Sequence, residues 1–540
     1  MNETIRSKKK FLPFLFLFAA SLVIYLTQLG NPVTGGQSDE PLYIGIARSM
    51  MAHHNWMVPT FHGQLAFYKP PFLYWMMIFA FKLFGNTLFS SRFPAAFCGA
   101  LLVLVTALLG EQMFNSRKAG LMSGIIAATT IPGVYAFARA ALMDIPMTFF
   151  ITLSLYLTYR FIREEKAVFL ILSLTSLGVS TNFKGPVSFL IGIFPILYLL
   201  HSSGKIQVLW KKEGIAAVAG CLFFSFLWPV GVALHGDGGE WLKFFIIQQN
   251  FGKFTSKLDP RTRYISDSVI WISLLSQFMP WSFFFLGSAV WFSLKKERRS
   301  SAVVFLILWI AAVLVIFLLP AKKLSHYTLP ALPAQALLSA GFIELSASSA
   351  LSDISFYLTG TVFAITGFFL FFLTRISQGF FEFLVILLAS ISFLIGSFFL
   401  FKKDLLKPLY LTCFFLFLYS FGLPRLMSSL DFHNLEKAMG HKPLYVYHFD
   451  AAILARALGR PIVLLKQPEF PSAAAGESPL LILPQPDEIS FERNGIQLSP
   501  PLLTWTRWED HIRILDLFQG ILSSNPKLIQ EKIVFVKVEK

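Results

Sequence analysis

The sequence predicts an all-α polytopic membrane protein of about 13 transmembrane helices, followed by a small C-terminal α/β domain. Three observations carry that prediction. The 540 residues are 55% hydrophobic and 14% charged, against roughly 45–50% and about 25% in soluble domains. Apolar runs long enough to cross a hydrocarbon core of about 30 Å recur as far as residue 424. From about residue 431 those runs give way to short strand-like stretches.

Residues 1–10 carry Arg6 and Lys8-Lys9-Lys10 ahead of an apolar run over 11–29. With no clear small-residue cleavage site after it, this run reads as a signal anchor with its N-terminus in the cytoplasm. Further runs lie at 93–110, 119–138, 145–161, 167–182, 186–201, 214–234, 268–293, 301–320, 328–344, 355–373, 380–401 and 408–424. The 71–84 run is shorter, is interrupted by Lys82 and follows two prolines, so it is expected on the interface as an amphipathic helix. Five of the six loops then assigned to the inside are basic, and the sixth, near 345–354, is not. The same parity puts the first large loop (30–92), the 235–267 loop and the tail outside.

The charge distribution agrees. From Asp431 onward there are 12 Lys and Arg against 13 Asp and Glu, so the net +16 belongs to the membrane part. A positive-inside bias accounts for it and leaves no reason to expect nucleic acid as a partner. Cys98, Cys221 and Cys413 are far apart in apolar surroundings and read as small buried hydrophobes. The expected organisation is a transmembrane domain over 1–430 and an extracytoplasmic accessory domain over 431–540. The latter has strands at 444–447, 462–465, 480–483 and 533–536 and a helix at 450–458.

Ionisable groups at the ends of spans are costly unless they work. On the expected outer side they are Asp39, Glu40, Lys69, Arg92, Arg139, Asp144, Lys184, His235, Asp237, Lys322, Lys323 and His326, with Tyr327 beside them. Lys and Arg also snorkel as plain anchors, which suffices for Arg92, Lys322 or Lys323 taken singly. It does not suffice for Asp39, which gains nothing as an anchor, or for Lys69, held between Tyr68 and Pro70-Pro71.

Motif order then becomes informative. Asp39-Glu40-Pro41-Leu42-Tyr43, Asn55-Trp56-Met57-Val58-Pro59, Tyr68-Lys69-Pro70-Pro71 with Tyr74-Trp75, and Ser91-Arg92-Phe93-Pro94 occur in sequence. Leu142-Met143-Asp144, Lys184-Gly185-Pro186, Phe278-Met279-Pro280-Trp281 and the run from Lys322-Lys323 through His326-Tyr327 to Pro333 follow. Over about the first 345 residues the chain resembles the bacterial members of the protein mannosyltransferase and lipid A aminoarabinose transferase superfamily, which use polyprenyl-phosphate sugars. The resemblance implies the C-type glycosyltransferase fold, with interfacial helices in a large first outer loop. It also implies residence in the bacterial cytoplasmic membrane with the active site on the outer side. One departure is that Pro41-Leu42 stand where relatives commonly carry an Arg between the acidic pair and the Tyr.

The chemistry can be argued alongside. The leaving group of a polyprenyl-phosphate sugar is a phosphate, so inverting displacement needs one carboxylate for the acceptor proton and cations for the departing phosphate. Asp39 is the candidate base, Lys69 the candidate phosphate clamp, and Asp144 a second carboxylate orienting the acceptor or Lys69. Substrate-binding expectations fall on Glu40, Tyr43, Tyr68, Arg92, His235, Lys322, Lys323, His326 and Tyr327. No metal is required, although Asp39, Glu40 and His235 leave a divalent site open as an alternative. The expected partners are a polyprenyl-phosphate sugar donor, membrane lipids, and an envelope glycolipid acceptor, or a protein acceptor as in the mannosyltransferases. The amphipathic 241–264 loop is an equal candidate for acceptor contact or plain connector. A lipid-linked sugar flippase is the alternative of another class, but no internal repeat supports it.

Overall fold

The computed structural model describes residues 2–31, 39–61, 64–235, 238–241, 243, 245, 267–294, 300–320, 323–346, 348–374, 380–427 and the strands of the tail. Helix α1 (Asn2–Leu26) opens the bundle, and α2 (Glu40–Ala52) and α3 (Phe72–Phe84) lie in the first loop. Between these two, β1 (Thr60–Phe61) and β2 (Gln64–Leu65) pair antiparallel. There follow α4 (Leu88–Phe114), α5 (Arg117–Ala128), α6 (Ala136–Ala138), α7 (Asp144–Glu164), α8 (Ala167–Lys184), α9 (Pro186–Ser202) and α10 (Lys212–Leu234). After the short α11 (Gly238–Trp241) come α12 (Ser268–Ser276), α13 (Ser282–Leu294), α14 (Ser301–Leu318) and α15 (Leu332–Leu345). The series closes with α16 (Ala350–Leu373), α17 (Phe380–Phe401) and α18 (Leu406–Met427).

Among the described residues, seven helices are long and apolar enough to span a membrane. The remaining apolar runs are shorter or broken, and the breaks have physical causes. The run expected over 119–138 bends by 55° between α5 and residues 131–138. Gly133 leaves the helical region there, with φ −93° and ψ −109°. The run expected over 268–293 divides into α12 and α13 at Gln277–Trp281. The two breaks satisfy one another, the Ile131 amide donating to the Met279 carbonyl (3.0 Å) and the Trp281 indole N–H to Thr129 Oγ1 (2.9 Å). Irregular backbone at membrane depth is tolerated where protein supplies such partners.

The first loop is tied down by aromatic donors. The Trp75 indole donates to the Trp56 carbonyl at 2.7 Å, and the Trp228 indole, from α10, to the Met57 carbonyl at 2.8 Å. Helix α3 exposes Phe79, Leu83 and Phe84 while burying Leu73, Tyr74, Met77 and Ile78. The Lys82 ammonium lies 4.9 Å above the Trp56 ring. An exposed apolar face with a Lys and a Trp at its margin is the composition of an interfacial helix.

In the tail, β3 (Leu444–Tyr447), β4 (Val463–Leu465), β5 (Leu480–Pro484) and β8 (Gln530–Glu539) occupy the four strand-like runs of the sequence, joined by β6 (Gln497–Leu498) and β7 (Leu503–Trp508). β3 pairs parallel with β4 and β5, and β8 antiparallel with β5, β6 and β7. The helix expected at 450–458 lies outside the described residues.

Candidate active site

The site is assembled at one end of the bundle, where α7 begins, α8 ends and α2 starts. Asp39 is the N-cap of α2, yet its side chain makes no capping hydrogen bond and is exposed. Pro41 occupies the first turn of that helix, where a missing N–H costs nothing, which accounts locally for the Pro41-Leu42 departure. One turn on, the Tyr43 hydroxyl points back at Asp39 Oδ2, at a long 3.5 Å. Burial pushes the Tyr43 pKa well up, followed by Tyr74 and the carboxylates of Asp39 and Asp144, so this hydroxyl keeps its proton.

Asp144 is the first residue of α7 and Lys184 the last of α8. The Lys184 ammonium meets Asp144 Oδ1 at 2.5 Å, with both side chains nearly buried. The sequence places Lys184 there with three residues. Gly185 takes φ +71°, which suits glycine and ends α8, and Pro186 starts α9 at once. Asp144 also feels the charges of His326 and Lys69. Lys69 is half-buried in the turn before α3, and the 3₁₀ segment Ser325–Ala331 brings His326 and Tyr327. Gln277 positions that segment, donating to the Ser325 carbonyl at 2.5 Å and accepting from the Thr328 hydroxyl at 3.1 Å. Lys184 lies 5.3 Å over the Tyr327 ring, which stacks on Phe317. Burial, with Asp144 and Asp39 next, raises the Tyr327 hydroxyl to about 12. Burial lowers the His326 pKa below its usual value. Asp144 and Asp39 oppose that effect, and Lys184 and Lys69 add to it.

Distant stretches thus bring Asp39, Lys69, Asp144, Lys184 and His326 within electrostatic reach of one another. Two expectations change in detail. The cation paired with Asp144 is Lys184 rather than Lys69, a choice that span-end position alone does not make. Glu40 and Arg92, expected among substrate-binding residues, are fully buried and matched to each other, Nε to Oε1 at 2.8 Å and an NH2 donor to Oε2 at 3.0 Å. Glu40 Oε1 also accepts the Ala141 amide, and Arg92 donates to the carbonyls of Leu29 and Asn31. This is a structural clamp, and it engages the Glu40 oxygens that the alternative metal site would have used.

The other expected residues are more dispersed. Lys323 is buried, donating to the Pro320 carbonyl and pairing with Asp267 at 2.8 Å. Tyr68 is exposed beside Lys69. His235 is exposed at the end of α10, with Nδ1 2.9 Å from the Gly231 carbonyl. Lys322, Asp237 and most of the 241–264 loop lie outside the described residues. Arg139 donates to the carbonyls of Ile24, Tyr25 and Thr27, as suits a cation at the C-terminal end of α1. Tyr74, whose environment no local pattern discloses, stands among the site groups as well, 6.1 Å from the Tyr43 ring.

An apolar cavity of about 320 Å³ adjoins the site, with Pro70, Gly185, Phe189, Leu222, Phe226 and Trp228 in its wall. Pro70 and Gly185 directly follow Lys69 and Lys184 in sequence, so the cavity begins beside the two cations.

Comparison with known proteins agrees with this architecture. The sequence model of the dolichyl-phosphate-mannose-protein mannosyltransferase family matches residues 68–232. An uncharacterized protein of Aquifex aeolicus is 27% identical over 424 residues, 78% of this chain and 81% of that one. An undecaprenyl phosphate-alpha-4-amino-4-deoxy-L-arabinose arabinosyl transferase of Pseudomonas aeruginosa is 29% identical over 56% of this chain. The match spans 54% of that transferase, about half its length. The crystal structure of ArnT from Cupriavidus metallidurans bound to undecaprenyl phosphate superimposes with a TM-score of 0.67 at 16% identity, covering 96% of this chain and 97% of that one. In sequence the chain is thus similar to the mannosyltransferase family over residues 68–232 and to arabinosyl transferases over about half its length, and it has the C-type glycosyltransferase fold.

Proposed function

We propose that this protein transfers a sugar, with inversion, from an undecaprenyl-type phosphate donor to a lipid A-like envelope glycolipid at the outer face of the inner membrane. The observation that carries the reading is the Asp144–Lys184 ion pair, with Lys69, Asp39 and His326 within electrostatic reach, beside an apolar cavity lined by Pro70 and Gly185. The names of the arabinosyl transferase relatives and the undecaprenyl phosphate in the ArnT crystal structure support the donor class.

In the transfer, the acceptor hydroxyl oxygen forms a bond to the anomeric carbon as the bond from that carbon to the phosphate oxygen breaks. Asp39 takes the hydroxyl proton. Lys69 holds the departing phosphate, which gains the electron pair and one negative charge. Asp39 loses one negative charge in the same step, so the pocket's net charge does not change. Concerted proton and phosphate movement therefore avoids accumulating unbalanced charge where screening is weak. Asp144 holds the Lys184 ammonium aimed at the same region through their ion pair, and the cavity receives the first part of the prenyl chain. Its volume is within the roughly 300–1,000 Å³ range of ligand pockets.

The test is turnover by purified protein in nanodiscs, supplied with a polyprenyl-phosphate sugar and envelope glycolipid. Asp39→Asn is expected to abolish transfer while folding and inserting normally, and transfer at the wild-type rate removes Asp39 as the base. Mass spectrometry of envelope lipids and proteins with and without the chain identifies the acceptor. A sugar increment lost from protein instead of glycolipid replaces the acceptor in this reading by a protein hydroxyl.

A further inference from the structure

Tyr74 is completely buried, and among the described residues its hydroxyl has no hydrogen-bond partner. Most tyrosines on the inner face of a helix are core aromatics, but their hydroxyls almost always find an acceptor once buried. An orphaned hydroxyl lowers stability, so its position calls for an explanation. The surroundings supply one. Tyr74 lies in the first turn of α3, directly after the Lys69-Pro70-Pro71 turn, and α3 packs on α2. Its ring is 6.1 Å from that of Tyr43, whose own hydroxyl reaches Asp39 only at 3.5 Å. Burial first, and then the Asp39 charge, push the Tyr74 pKa up, so it is a donor and never a base at working pH.

We propose that Tyr74 is a positioning residue whose hydroxyl, together with that of Tyr43, clamps the Asp39 carboxylate when substrate binds, turning the second carboxylate oxygen toward the acceptor hydroxyl. The inference rests on the proposed role of Asp39 as the base. Catalytic hydrogen bonds commonly shorten only in the Michaelis complex, which fits a long Tyr43–Asp39 contact and a Tyr74 hydroxyl without a partner among the described residues. The clamp orients and never exchanges a proton, so its loss affects the chemical step more than donor binding.

Tyr74→Phe removes one oxygen and keeps the ring. In nanodiscs it is expected to lower kcat by roughly ten-fold or more, as for a lost hydrogen bond to a charged group, and to leave the donor KM about where it was. Its thermal midpoint should equal or exceed that of the wild type, because an unsatisfied buried group has gone. A midpoint that falls with kcat means that the hydroxyl has a structural partner, and overturns the inference. Asp39→Asn, assayed in parallel, separates the two levels. If Asp39→Asn is inactive and Tyr74→Phe turns over at the wild-type rate, only the Tyr74 inference is overturned. If Asp39→Asn is active, the base assignment fails and the clamp with it.

Discussion

Arg92 holds Glu40 in a two-pronged ion pair with neither side chain exposed, joining α2 to α4 across 52 residues of sequence. Two ions removed from water cost several kcal/mol each, and the pair is tenable because the Ala141 amide and two carbonyls complete its hydrogen bonding. Removing one partner is therefore far worse than removing both. Arg92→Met should destabilise the folded protein by about 3–5 kcal/mol, and Arg92→Met with Glu40→Leu by much less. Thermal unfolding in one detergent, compared across the single and double variants, checks this.

Lys69 and Lys184 should separate kinetically. Lys184 is engaged by Asp144 at 2.5 Å and covers Tyr327, so Lys184→Met leaves a buried carboxylate unpaired and should lower both the thermal midpoint and turnover. Lys69 is half-buried in a turn outside the bundle core. Lys69→Met should spare the midpoint and weaken transfer, with a deficit relative to wild type that shrinks at high salt, where screening weakens the wild-type attraction for phosphate. Melting curves paired with steady-state rates resolve the two patterns.

The pH dependence follows from His326. Its folded pKa lies below the usual 6.5, mainly because burial disfavours the charged form. With a lowered value, the unfolded chain binds the proton first as pH falls. Stability is then undiminished above about the unfolded pKa and declines as pH drops from there toward the folded value. His326→Gln should flatten that part of the stability profile between pH 7 and 5, measured by chemical unfolding at each pH.

The cavity offers a test that leaves every charge in place. Leu222 contributes to its wall from α10. Leu222→Trp should raise KM for a long polyprenyl-phosphate donor several-fold while hardly affecting a short-chain soluble analogue, since only the former occupies the cavity. An equal effect on both donors would place the prenyl chain elsewhere.

Much of the architecture is legible in the sequence. Seven of the expected spans follow from hydropathy as helices long and apolar enough to cross a membrane among the described residues, and motif order points to the glycosyltransferase resemblance. Asp39, Lys69, Asp144, His326 and Tyr327 stand out as site candidates by their positions at span ends. The broken spans were not readable as such, because the 119–138 and 268–293 runs are apolar throughout and their breaks are paired only in space, Ile131 with Met279 and Thr129 with Trp281. Lys184 was visible as a charge, but not as the partner of Asp144. Tyr74 was visible as part of a motif, but not as a buried, unsatisfied hydroxyl.

The acidic pair in the first loop marks the division most clearly. Sequence alone determined that Asp39 and Glu40 stand in the loop that follows the first apolar run, because composition and hydropathy are local properties. Tertiary structure decided their separate fates. Consecutive residues at a helix start point roughly 100° apart. One direction here leads to Arg92 in the core and the other to an exposed position facing Tyr43. Which of two neighbouring carboxylates is structural and which is left for chemistry depends on what lies opposite each, and the partners that claim Glu40, Arg92 of α4 and the Ala141 amide just before α7, come from far along the chain.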